Sequence, residues 1–330
     1  MRPASLHFVR VLGWMGFGLT ALVFGALATI ALDVHVEGLP FALAALLLWL
    51  GLAAAVALRL WRSRRMGWAA LLICMATVGL WYGTLTPRQD RDWAADVAHS
   101  VSGTVTGDIV TLHNVRAFDW TSDSTAVERW ESRRLDLSKL QSVDMFTSVW
   151  DSPDIAHLIV SFGFSDGQHV AFSVEIRKEQ GEAFSSIGGF FRQFEIALIA
   201  AEESDIVKLR TNHRKETVSL FPVALDAEQR RALFLSYLDF GNRLNAAPEF
   251  YNTVTANCSS TVWRLAKVIT EDVPFDYRLL LSGRLPEMLE GLGALPGDMP
   301  MATRRAEALI KARAQAMPDG ADYSTWIRTR

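Results

Sequence analysis

Cysteine is nearly absent, with two in 330 residues. Cys74 lies inside a long apolar run and Cys258 in a polar-flanked segment far downstream, so their environments exclude a bridge between them. Net charge is also scarce: 33 basic against 36 acidic residues leave a formal −3 and a pI near 6.2. That balance gives no basic footprint for nucleic acid. No His, Asp or Glu cluster shows ligand spacing such as HExxH, which speaks against metal catalysis, and nothing calls for a cofactor. The chain also lacks an internal repeat and a low-complexity linker.

Charge is missing altogether from three runs, Val11 to Leu32, Leu39 to Leu58 and Met66 to Leu85. Each is about 20 residues, the length a helix needs to cross the hydrocarbon. The first is too long for the apolar part of a cleaved signal peptide, and two more follow. Three transmembrane helices are expected, forming an anchor over residues 1–88. Arg2 and Arg10 precede the first run and Arg59, Arg62, Arg64 and Arg65 crowd the second connection, whereas the first connection carries Asp33, His35 and Glu37. The positive-inside rule then puts the N-terminus in the cytoplasm and residues 89–330 on the periplasmic side of a multi-pass inner-membrane protein. Trp14, Trp49, Trp61, Trp68, Trp81 and Tyr82 lie largely toward the run ends, as an interfacial belt requires.

The extracytoplasmic part reads as one α/β domain. Thr104 to Val115 and Ser124 to Leu135 pattern as strands, as do Ile196 to Ala201, Ile206 to Thr211 and Val218 to Val223. Ser185 to Glu195 is a short glycine-interrupted helix candidate, with Phe190 and Phe191 assigned to the core. Asp226 opens a long helix to about Leu244, with Gln229 completing a capping box. The clearest β signal is a hairpin of Ile155 to Phe164 and Gln168 to Ile176. A two-residue turn would set each strand's apolar face against the other's polar one. A three-residue loop, Ser165-Asp166-Gly167, matches the faces, with paired residue numbers summing to 332, and sets His157 across from Glu175.

Cys258 falls where an Asn- and Thr-rich approach gives way to a helical pattern, with Val262, Leu265, Ala266 and Ile269 on one face. The first turn of a helix favours thiolate over thiol, the form that attacks carbonyl carbon. An unpaired thiol in an oxidising compartment is either deeply buried or put to use. Cys258, His157 and Glu175 have the residue types of a nucleophile, its base and the base's orienter. Here the histidine strand precedes the cysteine helix, the reverse of the papain order. That arrangement belongs to a circularly permuted papain-like fold, and triads are defined by geometry and not by order. His169 shares the polar face and ranks second to Glu175 because its register partner is Gly163. Asn257 serves either as a helix cap or as an oxyanion donor. Arg177, Arg192, Arg210 and Arg214 have the fork that suits a phospholipid phosphate, weighed against an internally paired charge network with the nearby glutamates. Tyr251 opens the approach to Cys258 and joins the candidate substrate-binding residues.

The blocks AHLIVSFGF (Ala156 to Phe164), FSVEIRKEQGEAFSSIGGFFRQFE (Phe172 to Glu195) and YNTVTANCSS (Tyr251 to Ser260) together resemble the Lnb N-terminal periplasmic domain family. The resemblance runs from about Asp119 to Gly293. It implies a permuted relative of NlpC-type peptidases, with Cys258 as nucleophile and His157 as base. It further implies acyl transfer from a phospholipid to the amino terminus of a lipoprotein, so the expected partners are membrane lipids and lipoproteins. The other readings are a Cys/His hydrolase acting on peptide or lipid bonds, and a non-enzymatic binding or chaperone module.

Overall fold

The computed structural model describes residues 3–269 and 276–329, which fall into two compact units, Met1–Pro87 with Ser186–Gln193, and Arg88–Ser185 with Phe194–Arg330.

In the first unit the three charge-free runs form helices α1 (Pro3–His35), α2 (Gly38–Trp61) and α3 (Arg64–Gly83). Each contains a stretch long and apolar enough to cross a membrane. Phe17, Leu48, Leu52, Ala55 and Leu71 are buried among them, while Leu19, Leu43, Leu47 and Ile73 face outward as lipid-facing positions do. Arg59 departs from the loop position expected of it. It lies in the last turn of α2, donates from Nη2 to the Gly13 carbonyl at 2.6 Å, and sits 4.5 and 4.6 Å from the Trp14 and Phe17 rings. A Cβ on Gly67 would lie 2.4 Å from the Arg59 Cβ, so glycine there lets the side chain pass. Trp49 lies in the middle of α2, not at a span end, and its indole donates to Thr29 Oγ at 3.1 Å.

The second unit is built on a mixed sheet. Its strands are β1 (Ser102–Thr106), β2 (Ile109–Arg116), β5 (Trp130–Asp136), β6 (Leu140–Val149), β7 (His157–Phe164), β8 (His169–Arg177), β9 (Glu195–Ala201) and β10 (Thr217–Pro222). They run in the order β1-β2-β9-β8-β7-β6-β10, with β5 also paired to β2, while β3 (Asp119–Trp120) and β4 (Ala126–Val127) form a separate ribbon. The single strand expected over Thr104 to Val115 is instead the β1–β2 hairpin, turned at Gly107-Asp108 with Gly107 at φ +62°. A two-residue turn is too short to interrupt the apolar alternation, which is why the pattern read through it. Ser124 to Leu135 splits likewise, and only its second half joins the main sheet.

Strand β9 is buried at every residue, because both faces of the sheet are covered. On one face Val160, Phe162, Phe172, Val174 and Leu198 meet α6 (Ala227–Ala246) and α7 (Cys258–Ala266) through Phe234, Tyr237, Leu238 and Leu265. On the other, Ile159, Ala171, Ala197 and Ile199 meet Ile206, Val207, Ile310 and Tyr323. The expected capping box of Asp226 and Gln229 opens α6.

Ile206 to Thr211 is not a strand. It belongs to α5 (Glu203–Lys208) and a π-helical turn, Leu209–His213. Buried carboxylates fix this helix in place. Asp205 accepts from Arg116 Nε and Nη2, Phe118 N and Trp120 Nε1 at 2.7 to 3.0 Å, and Glu203 is gripped by Arg328 at 2.6 and 2.7 Å. Stranding this segment would leave those buried charges unpaired, a larger penalty than any β preference of its apolar residues.

Candidate functional site

Helix α7 starts where it does because Asn257 caps it. The Asn257 side chain accepts from Ser260 N at 2.9 Å, and Ser260 Oγ accepts from Asn257 N at 2.9 Å. The approach is fixed by Asn252, whose Oδ1 accepts from Val254 N and Thr255 N, and by Tyr251 N donating to Phe194 O at the foot of β9. Cys258 is therefore the first helical residue, half-buried and unpaired. Its backbone N–H has no acceptor among the described residues. It is one of the free donors that every helix start presents. Asn257 is a cap: its Nδ2 donates to Thr253 O at 2.7 Å, which turns the amide toward the approach loop.

His157 is the first residue of β7. The hairpin pairs Ile159 with Ser173 and Val160 with Phe172, numbers summing to 332, around a three-residue loop with Gly167 at φ +86°. The matched-face register is the one observed, and it brings His157 Nε2 to 3.1 Å from Glu175 Oε1. Ser173, given no role in the sequence, lies between them, its Oγ 2.6 Å from Nε2 and donating to Glu175 Oε1 at 2.7 Å. Cys258 lies close enough to His157 to help hold its ring protonated, and with Nε2 engaged by Ser173 and Glu175, Nδ1 is the ring nitrogen that those two leave open.

Behind Glu175 stands Arg210, nearly buried. Its Nη2 donates to Glu175 Oε1 at 3.0 Å, its Nη1 to Ile206 O at 2.9 Å, and its Nε lies 3.9 Å from Glu216. Ser148, the register partner of His157 on β6, donates to Glu216. The guanidinium is thus committed to two carboxylates, and the internally paired reading of Arg210 is the one found.

Burial in this cluster works against charge on His157. Against burial and the Arg210 charge, the charge and hydrogen bond of Glu175 together with Cys258 prevail, and the imidazole is pushed up to about 9. Burial would raise Glu175, but the charges of His157 and Arg210 hold it well below the usual carboxylate range. Both side chains keep 14 and 20 % of their exposure, so the pair borders a solvent-reachable space.

Two tyrosines flank the sulfur. Burial, followed by the Cys258 charge, pushes the phenols of Tyr237 and Tyr251 well above the usual range, with Glu175 contributing for Tyr251. The Tyr237 hydroxyl is fully buried and has no hydrogen-bond partner among the described residues. Sequence gave no sign of it, since Tyr237 reads as one more apolar-face residue of α6.

The remaining candidates lie apart from this cluster. Arg177 donates to Val97 O and Ala98 O and stacks 4.5 Å from the Trp93 ring, so it ties the start of the domain to β8. Arg192 belongs to the first unit, 4.7 Å over the Tyr82 ring with Nη1 donating to Tyr82 O at 3.2 Å. Arg214 lies 4.0 Å from Glu216. His169 pairs with Gly163 and its Nδ1 contacts Gly167 O at 3.2 Å, at the turn end of the hairpin.

Residues 126–283 match the model of the Lnb N-terminal periplasmic domain. The matched segment contains His157, Ser173, Glu175, Arg210, Tyr237 and Cys258. No curated protein and no solved structure matches the chain.

Proposed function

We propose, from the match of residues 126–283 to the model of the Lnb N-terminal periplasmic domain, that this chain is a membrane-anchored envelope acyltransferase working through a Cys258 thioester. The observation that supports this reading is the His157–Glu175 pair at 3.1 Å, with Cys258, the first residue of its helix, close enough to act on the imidazole. The histidine strand precedes the cysteine helix, as in a circularly permuted papain-like fold. Periplasmic placement of the domain follows the basic second connection and the family's own compartment.

The first half-reaction moves the thiol proton to His157, and the thiolate attacks the ester carbonyl of a phospholipid. Negative charge on the carbonyl oxygen is met by the free Cys258 N–H and by the Tyr237 hydroxyl. Collapse forms the thioester and breaks the ester C–O bond. The lysophospholipid oxygen leaves with the proton from His157. In the second half, an amine such as a lipoprotein N-terminus attacks the thioester, His157 takes the amine proton, and the thiolate is released. Water in place of the amine would make the same site a hydrolase.

Mass spectrometry of the full chain after incubation with phospholipid tests the reading. A hydroxylamine-labile acyl adduct on Cys258, lost in His157→Ala, is expected; no adduct with any phospholipid donor would overturn it. Adding an N-terminal lipoprotein peptide then separates transfer, which moves the acyl chain to the peptide, from hydrolysis, which releases fatty acid.

Tyr237→Phe has two opposed consequences. Removing a buried hydroxyl with no partner should raise stability by about 1 kcal/mol. Losing an oxyanion donor should slow acylation roughly 10²-fold. Denaturant melts and single-turnover acylation read the two separately, and an unchanged rate would remove Tyr237 from the oxyanion site.

A further inference from the structure

The segment between Glu182 and Arg192, Ala183 to Phe191, carries no charge and holds four large apolar residues. Phe190 was expected in the core, but it is 48 % exposed, with Ile187 at 58 % and Phe184 at 55 %. Single exposed apolar residues are ordinary, whereas three within seven residues mark a contact surface.

The segment is built, not loose. Phe191 N and Gln193 N both donate to Gly188 O at 3.0 Å, and Arg192 adopts a left-handed φ of 60°. A Cβ on Gly188 would meet Gln193 Oε1 at 1.7 Å, so any larger residue there would have to displace the Gln193 side chain.

Its position identifies the occupant. Residues 186–193 group with the three apolar helices. His35 Nε2, at the last residue of α1, contacts Phe191 O at 2.5 Å, and Arg192 donates to Tyr82 O near the end of α3. The Tyr82 and Trp81 rings stand beside His35, 6.4 and 6.2 Å from it. Span ends rimmed by Trp, Tyr and His lie at the level of the lipid head groups. A charge-free loop fastened there presents its exposed apolar side chains to the boundary between head groups and acyl chains.

We propose that the loop carrying Ile187 and Phe190 is a lipid-entering element, seated in the membrane interface at the end of the spans with which it groups. This rests on the membrane anchor and not on the thioester chemistry, so it stands or falls separately from the proposed activity.

Nitroxide depth measurements on the full chain in phosphatidylethanolamine/phosphatidylglycerol vesicles test it. In a Cys74→Ala, Cys258→Ala background, Ile187→Cys and Phe190→Cys are spin-labelled singly. Leu47→Cys, on the outward face of α2, is the lipid reference, and Val127→Cys, 65 % exposed on the β3–β4 ribbon, is the aqueous one. The expected result is a shift toward oxygen over a water-soluble nickel complex at both loop sites, in the direction of Leu47. Either loop site reading like Val127 would overturn the proposal and leave the surface to a protein partner.

Discussion

Replacing Cys258 by alanine should lower the single-turnover acylation rate by about 10⁴-fold or more, because the Ser173 hydroxyl at His157 is tied to Glu175 and is a far weaker nucleophile than a thiolate. His157→Gln should cost nearly as much, and the double variant should be no worse than either single one, since nucleophile and base act as a unit. Both variants should fold. Cys258 is a half-buried first-turn residue whose helix is started by Asn257 and Ser260, and a glutamine at 157 can still meet Ser173 and Glu175. Acyl-adduct formation followed by mass spectrometry, with circular dichroism as the check on folding, reads both. Retention of most of the rate in Cys258→Ala would end the thioester mechanism.

Glu175→Gln is the second large effect, and its signature is in pH. Glu175 is the group that lifts His157 to about 9 against burial and against Arg210. Without the carboxylate, burial and Arg210 lower the imidazole and Cys258 alone opposes them, so it falls from about 9. Expulsion of the lysophospholipid needs the protonated ring. The wild-type acylation rate should therefore fall as pH rises through about 9, and in Glu175→Gln that limb should move to lower pH. The rate at pH 7 then drops by roughly 10³-fold, comparable to loss of the orienting carboxylate in other triads. A limb that stays near 9 in the variant would show that Glu175 does not set the histidine.

Stability follows the same groups. His157 is raised on folding, so its contribution is fully present below about 6.5 and is lost as pH rises through about 9. Glu175 is depressed on folding, so its contribution is present above its ordinary value of 4.5 and is lost as pH falls toward its folded value. Between those limits the wild type keeps both. In Glu175→Gln the His157 contribution should shrink, and the loss of stability as pH rises toward about 9 should weaken, which denaturant melts across pH would show.

Much of the site was legible because it rests on local rules. Face matching across Ser165-Asp166-Gly167 allowed a single register, and that register alone placed His157 opposite Glu175. Asn257 before Cys258 marked a helix start, and the capping box is there. What was misread depends on partners distant in sequence. Ile206 to Thr211 looked like strand because its apolar residues alternate, while the groups that make it helical, Arg116 and Arg328, lie 89 residues before Asp205 and 125 after Glu203. Arg210 seemed free to bind phosphate because nothing nearby in sequence shows that the turn of α5 delivers it to Glu175.

Tyr237 and the 184–190 loop make the same point from the other side. A phenol on the apolar face of α6 looks like core, and only packing against α7 sets its unpartnered hydroxyl near Cys258. Phe190 looked like core by composition, but the turn over Gly188 leaves it outward.

The sequence by itself determined the three apolar helices, the hairpin register and the cysteine at a helix start. Chain periodicity and turn chemistry act over a few residues and need no distant partner. Only the tertiary structure decided that Cys258 comes within electrostatic reach of His157, that Arg210 pairs with Glu175, and that residues 186–193 group with the spans. Those outcomes depend on which buried charges and apolar faces find each other once the sheet is assembled.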